Sequence, residues 1–200
     1  VRNIVYHAPE GGALKFCFGS SGILVYHNTL IAAARWMLAP ASNLHFRNNL
    51  ILGRSEVPDL FTVQTFTNYS SSDYSGFRPN ENAESSFEWN SPPFTARVDY
   101  DGKPEMRKFK TLQEFSAATG QDKHSILVDY DVFQKVSQPD PANPTMLYNP
   151  ADFDFRLRSG SAAVDAGTRL PNINDDFTGR APDLGAYEAG FPVPHYGPRP

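Results

Sequence analysis

Short apolar runs, none long enough for a helix, recur through the first 79 residues: Ala13 to Phe18, Ile23 to Tyr26, Leu30 to Ala33, Leu44 to Phe46, Leu50 to Leu52 and Leu60 to Phe66. Gly, Ser, Asn and Pro separate them, so the pattern predicts a series of brief β-strands. Four asparagines fall at matching places in successive segments: Asn3 in VRNIV, Asn28 in YHNTL, Asn48 in FRNNL and Asn68 in FTNYS. Their steps are 25, 20 and 20 residues. A repeat of this length, built from strands and turns, predicts a parallel β-helix in which each coil stacks on the next.

The apolar or aromatic residue two places before each asparagine (Val1, Tyr26, Phe46, Phe66) shares its side in a period-two strand, which predicts that the asparagines point inward. A buried amide without partners costs about 1–3 kcal/mol. Stacking solves this if each amide bonds the next, about 4.8 Å away. Asn3, Asn28, Asn48 and Asn68 are therefore expected to be scaffold; the functional alternative is that they hold a sugar or a metal.

Beyond the coils the periodicity changes. The polar stretch Tyr69 to Tyr74 loosens the repeat, and from Arg78 to Thr111 prolines, acids and aromatics mix. The expected organisation is coils over 1–79, an excursion with one short helix over 80–125, and final strands, closing loops and a Pro-rich tail over 126–200. The helix signals are complete: Thr111 as N-cap, Glu114 as its capping-box partner, Leu112 and Phe115 on one face, Gly120 as the stop. Its expected role is to cover an exposed sheet. Val1 opens inside a coil with no capping element before it, which predicts a C-terminal piece that continues preceding N-terminal coils of the same protein.

Composition narrows the class. The 200 residues are 40% hydrophobic and 13% aromatic, enough for a real core. A net charge of −4 with no long basic run argues against a nucleic-acid footprint. No run approaches the roughly 18 apolar residues of a membrane span. Cys17, between Phe16 and Phe18, is the single cysteine and reads as a small buried hydrophobe. Neither a Walker-type nor a dinucleotide glycine fingerprint is present.

The segments FKTLQEFSAATGQDKHSILVDYDVF and DFDFRLRSGSAAVDAGTRLPNINDDFTGRAPDLGAYEAG resemble the C-terminal region of bacterial right-handed parallel β-helix repeat proteins of the pectate-lyase-like superfamily. The resemblance implies an all-β, right-handed parallel β-helix with a side excursion and one short helix. It further implies a secreted or cell-surface protein active on acidic polysaccharide, as a polysaccharide lyase or a glycoside hydrolase. The alternative from another class is a non-catalytic extracellular scaffold or glycan-binding module. Lyases of this superfamily need a base and a means of neutralising the uronate carboxylate, by Ca²⁺ or by cationic side chains.

The resemblance supplies no motif for those groups in this stretch, so the main site is expected on the preceding N-terminal coils; the local candidates come from the column just before each asparagine: Arg2, His27, Arg47 and Thr67. Strand alternation points all four outward, giving a cationic stripe in which Arg2 and Arg47 bind substrate and His27 is the base. Near the end, Asp165, Asp175, Asp176, Asp183 and Glu188 gather around Arg180. Oxygen-rich turns of this kind can bind Ca²⁺, but the spacing matches no EF-hand loop. An Arg180 lock on Asp165 or Asp183 explains the cluster without a metal.

Overall fold

The computed structural model describes residues 1–8, 13–14, 16, 19–33, 41–53, 60–65, 69–80, 82–91 and 107–194. Phe66, Thr67, Asn68 and Cys17 lie outside the described residues. The fold is mostly β, with parallel sheets and one helix. In chain order the strands are β1 Ile4–Ala8, β2 Ser21–Tyr26, β3 Thr29–Ala33, β4 Ser42–Arg47, β5 Leu50–Leu52, β6 Phe61–Gln64, β7 Ser71–Asp73, β8 Gly76–Arg78 and β9 Phe87–Asn90. β10 Arg107–Phe109, the helix α1 Leu112–Thr119, β11 Ile126–Leu127, β12 Phe133–Lys135 and β13 Asp154–Leu157 follow.

Strands two or three apart in chain order return to the same sheet. β1-β3-β5-β8-β11 and β2-β4-β7 are parallel throughout, β6 pairs parallel with β9, and β10 adds antiparallel to β9. One core cluster draws on all three sheets: Val25, Phe46, Leu30, Ile51, Phe77, Phe61 and Trp89 pack together. Phe115 of α1 completes it, stacked on Phe87 at 5.3 Å and edge-on to Trp89 at 5.8 Å. The helix has the predicted caps, with Thr111 and Glu114 closing a reciprocal box and Gly120 at φ 73°. It covers β9 and β10.

The asparagine ladder exists, but in a different register from the one expected. Asn3 donates from N and Nδ2 to Asn28 Oδ1 at 3.1 and 2.9 Å. Asn28 in turn donates from N and Nδ2 to Asn49 Oδ1 at 3.0 and 2.9 Å. Asn49 N reaches Ser75 Oγ, and Ser75 N reaches Ser125 Oγ. The steps are 25, 21, 26 and 50 residues, and Asn48 is not a rung. The slip has a backbone cause. Arg2, His27, Asn48 and Tyr74, each one place before a rung, all take positive φ between 53° and 57°. A left-handed residue at the bend breaks strand alternation. The residues two before each inner rung, Tyr26, Arg47 and Asp73, consequently share a row on the outer face, and the buried Val25 and Phe46 stand three before.

The first sheet is covered on both sides. Leu30, Ile51 and Phe77 face the shared core, while Ile31, Leu50 and Leu52 pack in a second cluster with Val132, Phe133, Leu157, Ala163 and Leu184. The C-terminal segment thus lies over this sheet. Of its strands β11 joins the parallel ladder, whereas β12 and β13 pair antiparallel with each other. Burial on both faces also hides β9 in the sequence, because all four of its residues are buried and no alternation results. Among the described residues no helix is long and apolar enough to cross a membrane.

Because Asn49 is the acceptor for two Asn28 donors, Asn49→Leu is expected to lower stability by about 1–3 kcal/mol. Urea denaturation checks it; an unchanged midpoint would mean the ladder contributes nothing.

Candidate functional site

His27, expected outside as a base, is buried at 1% exposure beneath the C-terminal loops. Its Nε2 accepts from Asn48 Nδ2 at 3.0 Å and from Asn174 Nδ2 at 2.8 Å. Its Nδ1 therefore carries the proton and faces the Gly185 carbonyl at 3.3 Å. Burial, and then the Arg2 charge, push its pKa from the ordinary 6.5 down to about 4. Both nitrogens are committed, so the ring is a neutral tie and not a base. Asn48 works on the same tie: its Oδ1 accepts from Thr168 N and its Nδ2 donates to Thr168 O, both at 2.8 Å. Gly185, at φ +88°, makes the approach possible, since a Cβ there would lie 2.7 Å from Leu50 Cδ1 and Thr29 Oγ1.

The cationic stripe does not form as a column. Arg2 occupies the left-handed turn position with His27, whereas Arg47 lies one place earlier, on the strand, opposite Tyr26 and Asp73. What does converge is the outer face of β2-β4-β7. On β4, His45 and Arg47 point outward, since Leu44 and Phe46 point in. His45 Nε2 donates to Asn43 Oδ1 at 2.8 Å, and its Nδ1 accepts from the Ser71 hydroxyl at 2.9 Å. Arg47 Nη2 donates to the same Ser71 oxygen at 2.9 Å. Partial burial, then Arg47, hold the His45 pKa below its ordinary value, so the imidazole is neutral at pH 7. Two residues along β7, Asp73 bonds His124 Nδ1 at 2.7 Å, and the His124 ring stacks on Tyr74. The spacing Asn43, His45, Arg47 is a period-two outward set followed one repeat later by Ser71 and Asp73. That alternation was the available signal for this face.

The acidic cluster does tie the last loops, but chiefly through backbone amides. Asp165 Oδ1 accepts from Arg180 N at 2.8 Å and Ala181 N at 3.2 Å, which lowers its pKa. Asp183 accepts from Asp165 N and Ala189 N, while burial raises its pKa. The Arg180 guanidinium is 92% exposed, with Nε 3.6 Å from Asp165. Asp175 is held by Asn172 N and by Arg169. Among the described residues no group of three His, Cys, Asp or Glu side chains could hold a metal ion.

A cavity of about 600 Å³ opens beside β1, between Tyr6 and His7 on one side and Tyr148, Phe153 and Asp154 on the other. No family model matches the chain, and neither a curated protein nor a solved structure shows significant similarity to it.

His27 supplies a pH test of the tie. It stays neutral in the fold down to about pH 4 but is protonated below 6.5 when unfolded, so its contribution is complete above pH 6.5 and lost as pH falls toward 4. The loss amounts to at most about 3 kcal/mol. Asp122, raised to about 6 by burial, acts in the opposite sense over the same window. The difference in stability between wild type and His27→Gln should therefore shrink on acidification; a difference constant from pH 7 to 4 would refute the neutral tie.

Proposed function

We propose that the chain is the C-terminal part of a carbohydrate-active protein of the right-handed parallel β-helix type, acting on acidic polysaccharide as a lyase. Supporting the architecture are strands that return to the same sheet at steps of 21 to 26 residues, with the ladder at each bend. The pectate-lyase-like resemblance of the last third supports the substrate class and a secreted or cell-surface location. The observation that carries the reaction is that His45 Nδ1 and Arg47 Nη2 each lie 2.9 Å from one oxygen, Ser71 Oγ. A neutral base and a fixed cation thus converge on one point of a solvent-facing sheet.

β-Elimination on a uronate requires those two groups. The base takes the proton α to the carboxylate, the electrons form a double bond to the neighbouring ring carbon as the bond to the glycosidic oxygen breaks, and that oxygen takes a proton from solvent as it leaves. Arg47 would hold the carboxylate and stabilise the negative charge that grows on it as the proton departs. His45 would take that proton, its ring oriented by Asn43, with the substrate displacing the Ser71 hydroxyl from Nδ1. The depressed pKa keeps the base unprotonated below its ordinary range, so the rate should fall with acidification at a lower pH than an unperturbed histidine would give.

The test is ultraviolet absorbance of the unsaturated product on incubation with alginate, polygalacturonate and glycosaminoglycans, with and without Ca²⁺. Product is expected from at least one polymer, with His45→Gln lowering the rate by about 10²-fold or more and Arg47→Ala weakening both binding and rate. Binding of a polymer without product would favour the non-catalytic glycan-binding reading, and absence of both would overturn the assignment.

A further inference from the structure

The cavity beside β1 is built of aromatic rings held from outside it. Tyr6 meets Phe153 at 4.5 Å and Tyr148 edge-on at 5.2 Å, and His7 meets Tyr148 at 4.9 Å. The Tyr6 hydroxyl donates to Ser137 O at 2.9 Å, and burial pushes its pKa up to about 12. The Tyr148 hydroxyl accepts from Asp140 N at 2.8 Å. Both phenols are thereby tethered to backbone outside the cluster, which fixes the rings before any ligand arrives and removes part of the ordering cost of binding. One wall is Asp154, whose carboxylate is gripped by Arg156. The rim side chain Leu147 is 94% exposed.

A volume of about 600 Å³ lies within the roughly 300–1,000 Å³ typical of small-ligand sites. Ring faces carry negative quadrupole and pack against C–H bonds, while a carboxylate accepts hydroxyl hydrogen bonds. A pyranose offers both, a face of C–H bonds and an edge of hydroxyls. The sign of charge narrows the class further. The Arg156 guanidinium beside the wall is already paired with Asp154, so a uronate carboxylate entering here would meet the like charge of the Asp154 carboxylate.

From this geometry we infer that the cleft formed by Tyr6, His7, Tyr148, Phe153 and Asp154 binds a short uncharged oligosaccharide, separately from the anion-binding site on the outer face of β2-β4-β7. The glycan class rests on the function proposed above; the place and the charge preference rest on the cleft. On a mixed polymer such a site would seat neutral sugars while Arg47 engages uronates.

Saturation-transfer NMR and calorimetry with cellotetraose, mannotetraose, chitotetraose and tetragalacturonate decide it, using the whole chain. At least one neutral tetraose should bind, with saturation reaching its ring C–H protons. Tyr148→Ala should weaken that binding about tenfold while Tyr148→Phe, which keeps the ring, retains it. Asp154→Asn, a change of charge at constant size on a side chain paired with the exposed Arg156, should lower neutral-sugar affinity and admit tetragalacturonate. Arg47→Ala should leave neutral-sugar binding unchanged, so failure of the lyase reading and failure of this site are read separately. The inference is overturned if no neutral tetraose binds, if Tyr148→Ala binds as well as wild type, or if a hydrophobic dye occupies the cleft and none of the sugars displaces it.

Discussion

The bend between successive strands is the constraint on which the rest depends. Each bend places a residue at positive φ and then an amide or hydroxyl that bonds the next bend: Asn3 to Asn28, Asn28 to Asn49, Asn49 to Ser75, Ser75 to Ser125. The left-handed residue turns the chain; the rung satisfies polar groups that turning buries. Because Asn28 and Asn49 each accept two donors of the preceding rung, bends stack in fixed register, and fixed bends align the strands on either side. Two parallel sheets and the parallel β6–β9 pair, sharing one core, follow from that alignment.

The same bend separates scaffold from surface. Its left-handed column, Arg2, His27, Asn48 and Tyr74, is where the C-terminal loops attach, through His27 to Gly185 and through Asn48 to Thr168. A histidine here is worth more neutral than charged, since each of the two side-chain amides it accepts from would otherwise lose one of its two acceptors. One residue before the bend, alternation puts Tyr26, Arg47 and Asp73 on the outer face, and two residues further back stand Leu24, His45 and Ser71. Chemistry can therefore be displayed on strands whose positions the bends have already fixed, which suits a site needing a base and a cation at set spacing.

Two surfaces of opposite character result. The outer face of β2-β4-β7 offers a neutral imidazole beside a guanidinium, whereas the cleft at β1 offers anchored rings and a carboxylate already paired with Arg156. The C-terminal loops serve both as cover for the first sheet and as one wall of the cleft, so closing the core and forming the cleft are the same packing event.

The sequence by itself determined the strand-and-turn repeat, the asparagine bends, and α1 with its caps at Thr111, Glu114 and Gly120. These are local: strand periodicity, turn chemistry and capping depend on residues within one or two turns of each other. It did not determine the rung at Asn49 rather than Asn48, because adjacent asparagines are indistinguishable until one of them adopts positive φ. Nor did it place β9, whose two covered faces erase alternation, or recognise His27 as buried, which follows from that single shift. The acids near the end marked a tie, yet whether Arg180 or the backbone made it depended on which amides the loops brought within reach. Tertiary structure decided these matters because a one-residue change at a bend reverses the facing of every side chain on the adjoining strand, and only the stacking of bends some 21 to 26 residues apart selects between the two registers.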